Sequence, residues 1–132
     1  MKPIDIVLSL SNPQADHRTI IEQAWDLNVE EFWIGLDLGV SDLDFGVTSV
    51  PALDLEDPEP GSLTFSQFYT LAMRLANGNL VGKDAQQAIE AAALSANAKE
   101  WNFWYRRILQ KSLTKHLPVD VIQKELLRLT TE

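Results

Sequence analysis

Four cations, Arg106, Arg107, Lys111 and Lys115, fall within the stretch EWNFWYRRILQKSLTKH, residues 100–116, among two tryptophans and a tyrosine. Side chains of this kind do one sort of chemistry unaided: they donate charge-assisted hydrogen bonds to anions, phosphate above all. On a helix, Arg107, Lys111 and Lys115 recur at i, i+4 and i+8 and make one stripe, while Trp101, Tyr105, Ile108, Leu109 and Ser112 share an arc suited to a core. Trp104 borders the two. Like charges stacked at i, i+4 repel by roughly 0.2–0.5 kcal/mol per pair, so helix stability alone gives no reason for the stripe. A bound anion supplies one. A solvated face whose basic residues lie near a helix C-terminus, favoured by the helix dipole, fits the same residues.

A second group of donors stands at Gly82, Lys83 and Asp84, where a predicted helix start points backbone amides outward, although the Asp84 carboxylate opposes an anion there. Lys124 adds a further cation. Other chemistry is largely excluded. With no cysteine, thiolate catalysis, disulfides and cysteine-ligated zinc are ruled out. The triplet Asp44-Phe45-Gly46 lacks the glycine-rich loop and lysine strand of a kinase. Asp37, Asp42 and Asp44 miss the spacing of a calcium loop and read as solvated carboxylates. His17 and His116 stand far apart with no carboxylate motif, so neither a catalytic pair nor a metal pair is expected.

These groups need a scaffold, and 132 residues at 45% hydrophobic suffice for one core. Residues 1–60 hold two Lys/Arg and thirteen Asp/Glu, a balance of -11; residues 61–132 hold nine and six, a balance of +3. Contact with a polyanion is therefore expected on one face only. The order of elements is helical. IDIVLSL ends at Asn12-Pro13, Asp16 caps HRTIIEQAW, and Asn28 with Glu31 resembles a capping box opening a helix that Gly39 stops. Residues 40–62 read as a long irregular acidic connection. Thr64 with Gln67 opens the next helix, closed by Asn77-Gly78; the alanine-rich GKDAQQAIEAAALSAN follows, Asn97 opens a helix running to Pro118, and VDVIQKELLRL supplies the last. The expectation is an all-α single domain of about six helices. No run is apolar enough to span a membrane, the N-terminus lacks a signal pattern, and a cytoplasmic setting is expected.

The segment LTFSQFYTLAMRLANGNLVGKDAQQAIEAAALSANAKEWNFWYRRILQKSLTKHLPVDVIQKEL resembles the N-terminal DNA-binding domain of ATP-dependent DNA ligases, particularly those of T-even-like phages. There a turn of the form L-TG-N is followed by L-R-R-x-x-x-R-D-L-x-x-G-x-S. The earlier run RTIIEQAWDLNVEEFWIGLDLGVSDLDFGV is similar to the preceding helices of that family. Arg106, Arg107 and Lys111 occupy the positions of R-R-x-x-x-R, and GNLVGKDA that of the turn; Ser112 and His116 replace the family's Asp and Gly.

The resemblance implies a helical domain, residues 1–132, that grips duplex DNA on both sides of a nick through phosphates and the minor groove, in DNA replication and repair. The DNA-binding residues expected are Arg106, Arg107 and Lys111, which match the family's basic positions, Gly82 and Lys83 in its turn, and, as further donors read from the residues themselves, Lys115 and Lys124. Separate nucleotidyltransferase and OB domains, partners in cis, would carry the chemistry with ATP and Mg. That chemistry starts from a lysine in Lys-x-Asp-Gly, and none of the six lysines has that context. The chain by itself is expected to be no enzyme, to bind no cofactor, and to be an excised domain or a truncated relative. The competing expectation is an acidic helical protein-interaction module, without DNA binding, whose loop 54–59 meets a basic partner.

Overall fold

A computed structural model describes residues 2–41, 44–46, 50–53 and 61–131. The described residues form eight helices and no strand: α1 Pro3–Leu10, α2 His17–Asp26, α3 Glu30–Val40, α4 Phe65–Ala76, α5 Gly82–Ser95, α6, α7 Leu113–His116 and α8 Val119–Thr131. Helix α6 is a continuous run made of Ala98–Glu100, a π-helical segment Trp101–Tyr105, and Arg106–Leu109. The all-α single domain is as expected. No described helix is long and apolar enough to cross a membrane.

Local chemistry accounts for most boundaries. Pro3 sits in the first turn of α1, where its missing N–H costs nothing. The Asp16 carboxylate accepts from Thr19 N–H at 3.3 Å and opens α2. The Thr64 hydroxyl accepts from Gln67 N–H at 3.2 Å while the Gln67 side chain accepts from Thr64 N–H at 2.9 Å, a complete capping box. The Asn97 side chain accepts from Lys99 and Glu100 N–H and starts α6. Gly78, at φ 76°, closes α4.

Three expectations need correction. Asn28 does not open α3: it stands at φ 53° and ends α2, with its N–H on Trp25 O and the next N–H, of Val29, on Ala24 O. Asparagine tolerates both the cap and the left-handed position, and only three residues, Leu27, Asn28 and Val29, separate the end of α2 at Asp26 from the start of α3 at Glu30. Gly39 does not stop α3 either. It lies inside the helix, at a point where a Cβ would overlap the Leu113 side chain. The helix expected from Asn97 to Pro118 breaks at Gln110–Ser112, so α6 and α7 are separate.

The core forms around α6, whose Trp101, Trp104, Tyr105, Ile108 and Leu109 are buried. Phe32 of α3 stacks on Trp104 with centroids 5.7 Å apart, and Phe68 of α4 on Tyr105 at 4.4 Å. Gly35 admits the Trp104 ring, which a Cβ would strike. Helix α2 packs on α8, α3 on the last turn of α6 and on α7, and α4 on α5. Between α2 and α8, Arg18 and Arg128 interleave with Glu22 and Glu125. The described residues between Val40 and Phe65 are irregular, as expected. The acidic loop 54–59, like Asp42, lies outside the described residues.

Candidate nucleic-acid interface

The π-segment gives α6 one turn with an extra residue, closed by Arg106 N–H on Trp101 O. That turn stitches residues 50–53 to the helix. Trp101 Nε1 donates to Pro51 O at 2.6 Å, and Asn102 both accepts from Leu53 N–H and donates to Leu53 O, each at 2.7 Å. Arg106 Nε donates to Val50 O at 3.0 Å. Arg106 is thus held by one N–H and half-buried, with its charge still at the helix edge.

Arg107 lies over the Phe103 ring, 5.1 Å from its centroid. Burial, and secondarily the neighbouring Arg106, pull its guanidinium below the usual value; it stays charged at neutral pH. The aromatic face orients the group while its fork of N–H donors remains available.

Lys111 occupies a different place from the one its spacing suggests. It stands at φ 57°, the left-handed position that ends α6, with its N–H on Ile108 O and the next N–H, of Ser112, on Arg107 O. Glycine usually takes this position. The stripe Arg107–Lys111–Lys115 therefore does not exist as a helical row. The Lys111 ammonium crosses to the end of α3, where it donates to Leu38 O at 3.1 Å and to Ser41 O and Oγ, and lies 5.5 Å from the Phe45 ring centroid. It caps the carbonyl end of α3, where a cation is favoured. Replacing Lys111 by methionine, which keeps the stem and removes the charge, is expected to lower unfolding free energy by about 1.5–3 kcal/mol, the range for hydrogen bonds to a charged group. Urea unfolding followed by circular dichroism measures it. For a solvated lysine the change would be about 0.5 kcal/mol or less.

Lys115 and His116 form the exposed end of α7. Partial burial, then the charges of Arg107 and Lys115, hold the His116 imidazole below its ordinary value. The charges of Arg107 and Lys115 thus both act on the His116 ring. Arg106 and Arg107 lie in the last turn of α6, and Lys115 and His116 in α7, on the far side of the break at Lys111; His116 is the member that sequence reasoning left out of the site. The available signal was its adjacency to Lys115, but only the turn between α6 and α7 directs it to Arg107. Among the described residues, no carboxylate forms an ion pair with Arg106, Arg107 or Lys115, whereas Arg18 and Arg128 are paired across α2 and α8.

Gly82, at φ 58°, and Lys83 are exposed at the start of α5 with Asp84 in the same first turn; Lys124 is exposed on α8. Among the described residues no group of acidic, histidine or cysteine side chains could hold a metal ion.

No family model matches the sequence, and no curated protein matches it. Two solved structures do. One, named Pmar-Lig_PreS3, is 27% identical with a TM-score of 0.87, over 99% of this chain and 31% of that one. The other, named Pmar-Lig_Pre., is 28% identical with a TM-score of 0.86, over 97% of this chain and 30% of that one. Both names mark ligase-related proteins, and this chain spans about a third of the length of each.

Proposed function

We propose that the chain binds duplex DNA, nicked duplex included, without reading base sequence, as the N-terminal domain of an ATP-dependent DNA ligase. The observation that carries this reading is the likeness of nearly the whole chain to about a third of two ligase-named structures. The cations Arg106, Arg107 and Lys115 are the groups proposed to meet phosphates, with His116 beside them; Lys83 and Lys124 would extend the contact. Lys111 serves the scaffold that presents them. Phosphate contacts fix position and carry no base information, so indifference to sequence follows. Adenylation and nick sealing, with ATP and Mg, belong on this reading to catalytic domains in cis, and their role is replication and repair.

Binding of a fluorescent nicked duplex, followed by anisotropy at 50 and 200 mM salt, tests the reading. Binding that weakens steeply with salt is expected; no binding at 50 mM salt and micromolar protein would count against it.

A pH dependence follows from His116. Its value in the free protein lies below the ordinary one, and a phosphate beside it would favour the charged ring and raise that value. Binding then takes up a proton between the two values. Affinity should rise as pH falls through the complex's value and level off below the free protein's. Titrating DNA affinity from pH 8 to pH 5 should show this rise in the native chain and a smaller one in His116→Gln. Equal pH profiles would remove His116 from the interface. The same depressed value means that the unfolded chain holds the His116 proton more tightly. This residue's contribution to stability is therefore complete above the ordinary histidine range and declines as pH falls through it.

A further inference from the structure

We infer that the groove between α3 and α4 is a docking surface for a lysine- or arginine-bearing segment of a partner protein that also carries an apolar anchor. The groove, of about 630 Å³, is lined by Trp33, Ile34, Phe65 and Tyr69, with Ser66 and three carboxylates, Glu30, Glu31 and Asp37. Ile34 is 43% exposed and Tyr69 39%, and Trp25, also 39% exposed, meets Trp33 edge-on with centroids 6.2 Å apart. Apolar side chains from three successive helices thus meet solvent on one side of the molecule.

Charge selects the occupant. No cation lines the groove, and among the described residues no cation pairs with Glu30, Glu31 or Asp37. The acidic surface on α2 and α8, by contrast, is neutralised by Arg18 and Arg128. Carboxylates around aromatic faces attract a cation twice, through opposite charge and through the ring quadrupole. A lysine or arginine also brings a hydrocarbon stem that can cover Ile34 and Tyr69. A polyanion is repelled from the same place, so this surface serves something other than DNA. It shares no residue with the cationic end of α6 and α7, and it would serve its partner whether or not the chain binds DNA.

The probe is a fluorescein-labelled dodecapeptide of alternating lysine and leucine, with two controls in which serine replaces leucine or glutamate replaces lysine. At 0.15 M salt, the double change Glu31→Gln with Asp37→Asn should weaken binding by about tenfold, each partly desolvated charge pair contributing about threefold. Removing the same charge elsewhere, as Glu90→Gln with Asp120→Asn, should change it less than about twofold at this screening length. Ile34→Ser should weaken binding comparably, and melting curves check that every variant is folded. Both control peptides should bind at least about tenfold more weakly, or about 1.4 kcal/mol. Equal losses from the two charge-removing pairs, equal binding of the serine peptide, or no binding would overturn the inference. So would self-association of the native chain, by sedimentation, that is abolished by Glu31→Gln with Asp37→Asn, since the occupant would then be a second copy.

Discussion

Replacing Trp104 by alanine is expected to remove about 3–5 kcal/mol of unfolding free energy, the range for emptying a buried aromatic site. Single domains have roughly 5–15 kcal/mol in all, so this variant should be partly unfolded at moderate temperature. The ring is fully enclosed, stacked on Phe32, and seated against Gly35. Its indole N–H is buried without a hydrogen-bond partner. Trp104→Phe should therefore cost far less than the alanine change, because it keeps the stack and removes an unsatisfied donor. Gly35→Ala alone should cost about 1–3 kcal/mol by overpacking the same ring. Combined with Trp104→Phe it should cost less than the sum, since the smaller ring gives up the space that the new methyl needs. Urea denaturation of the four variants measures all of this. Additive costs would mean that Gly35 and Trp104 do not share that space.

The double change Arg107→Ala with Lys115→Ala should flatten the slope of log affinity for nicked duplex against log salt by about 1.8, or roughly 0.9 for each phosphate no longer met. Extrapolated to 0.15 M salt, counterion release of that size corresponds to about thirtyfold weaker binding. Stability should change little: Lys115 is exposed, and an Arg107–Phe103 contact at the surface is worth about 0.5–1 kcal/mol. Lys111→Met should do the reverse, lowering stability and leaving the slope unchanged. This crossed pattern separates cations that hold the fold from cations offered to a ligand. An unchanged slope in the double variant would reduce the Arg107/Lys115 cluster to a solvated face.

The sequence disclosed helices wherever the signal was local. Asp16, Thr64 with Gln67, and Asn97 each satisfy amides within three residues, and periodicity then carries the helix on. Reading failed where the deciding partner is distant. Nothing near Lys111 says that its ammonium will end α3, some 70 residues away in sequence, or that a lysine will adopt the backbone shape usually left to glycine. Gly39 reads as a stop until Leu113 is seen to need its missing side chain. The same asymmetry governs the site. Arg106 and Arg107 were legible as adjacent cations, helical arithmetic puts Lys111 on the wrong surface, and His116 enters only through the turn.

That arithmetic also takes Trp101–Tyr105 as unbroken α-helix, where the chain forms a π-turn. Each residue of an α-helix advances the side chains by about 100°. A π-turn spreads its extra residue over about the same rotation as the α-turn it replaces, so excising one codon from it, at Phe103 for instance, would let the α-helix close while everything downstream kept its orientation. Ile108 and Leu109 would still face the core, and Arg107 would keep its side of the helix without the Phe103 ring beneath it. A gene shortened there by a single codon would still aim every cation of the interface as before, whereas the same deletion in the α-helical turn that follows would swing all that comes after it by about 100°.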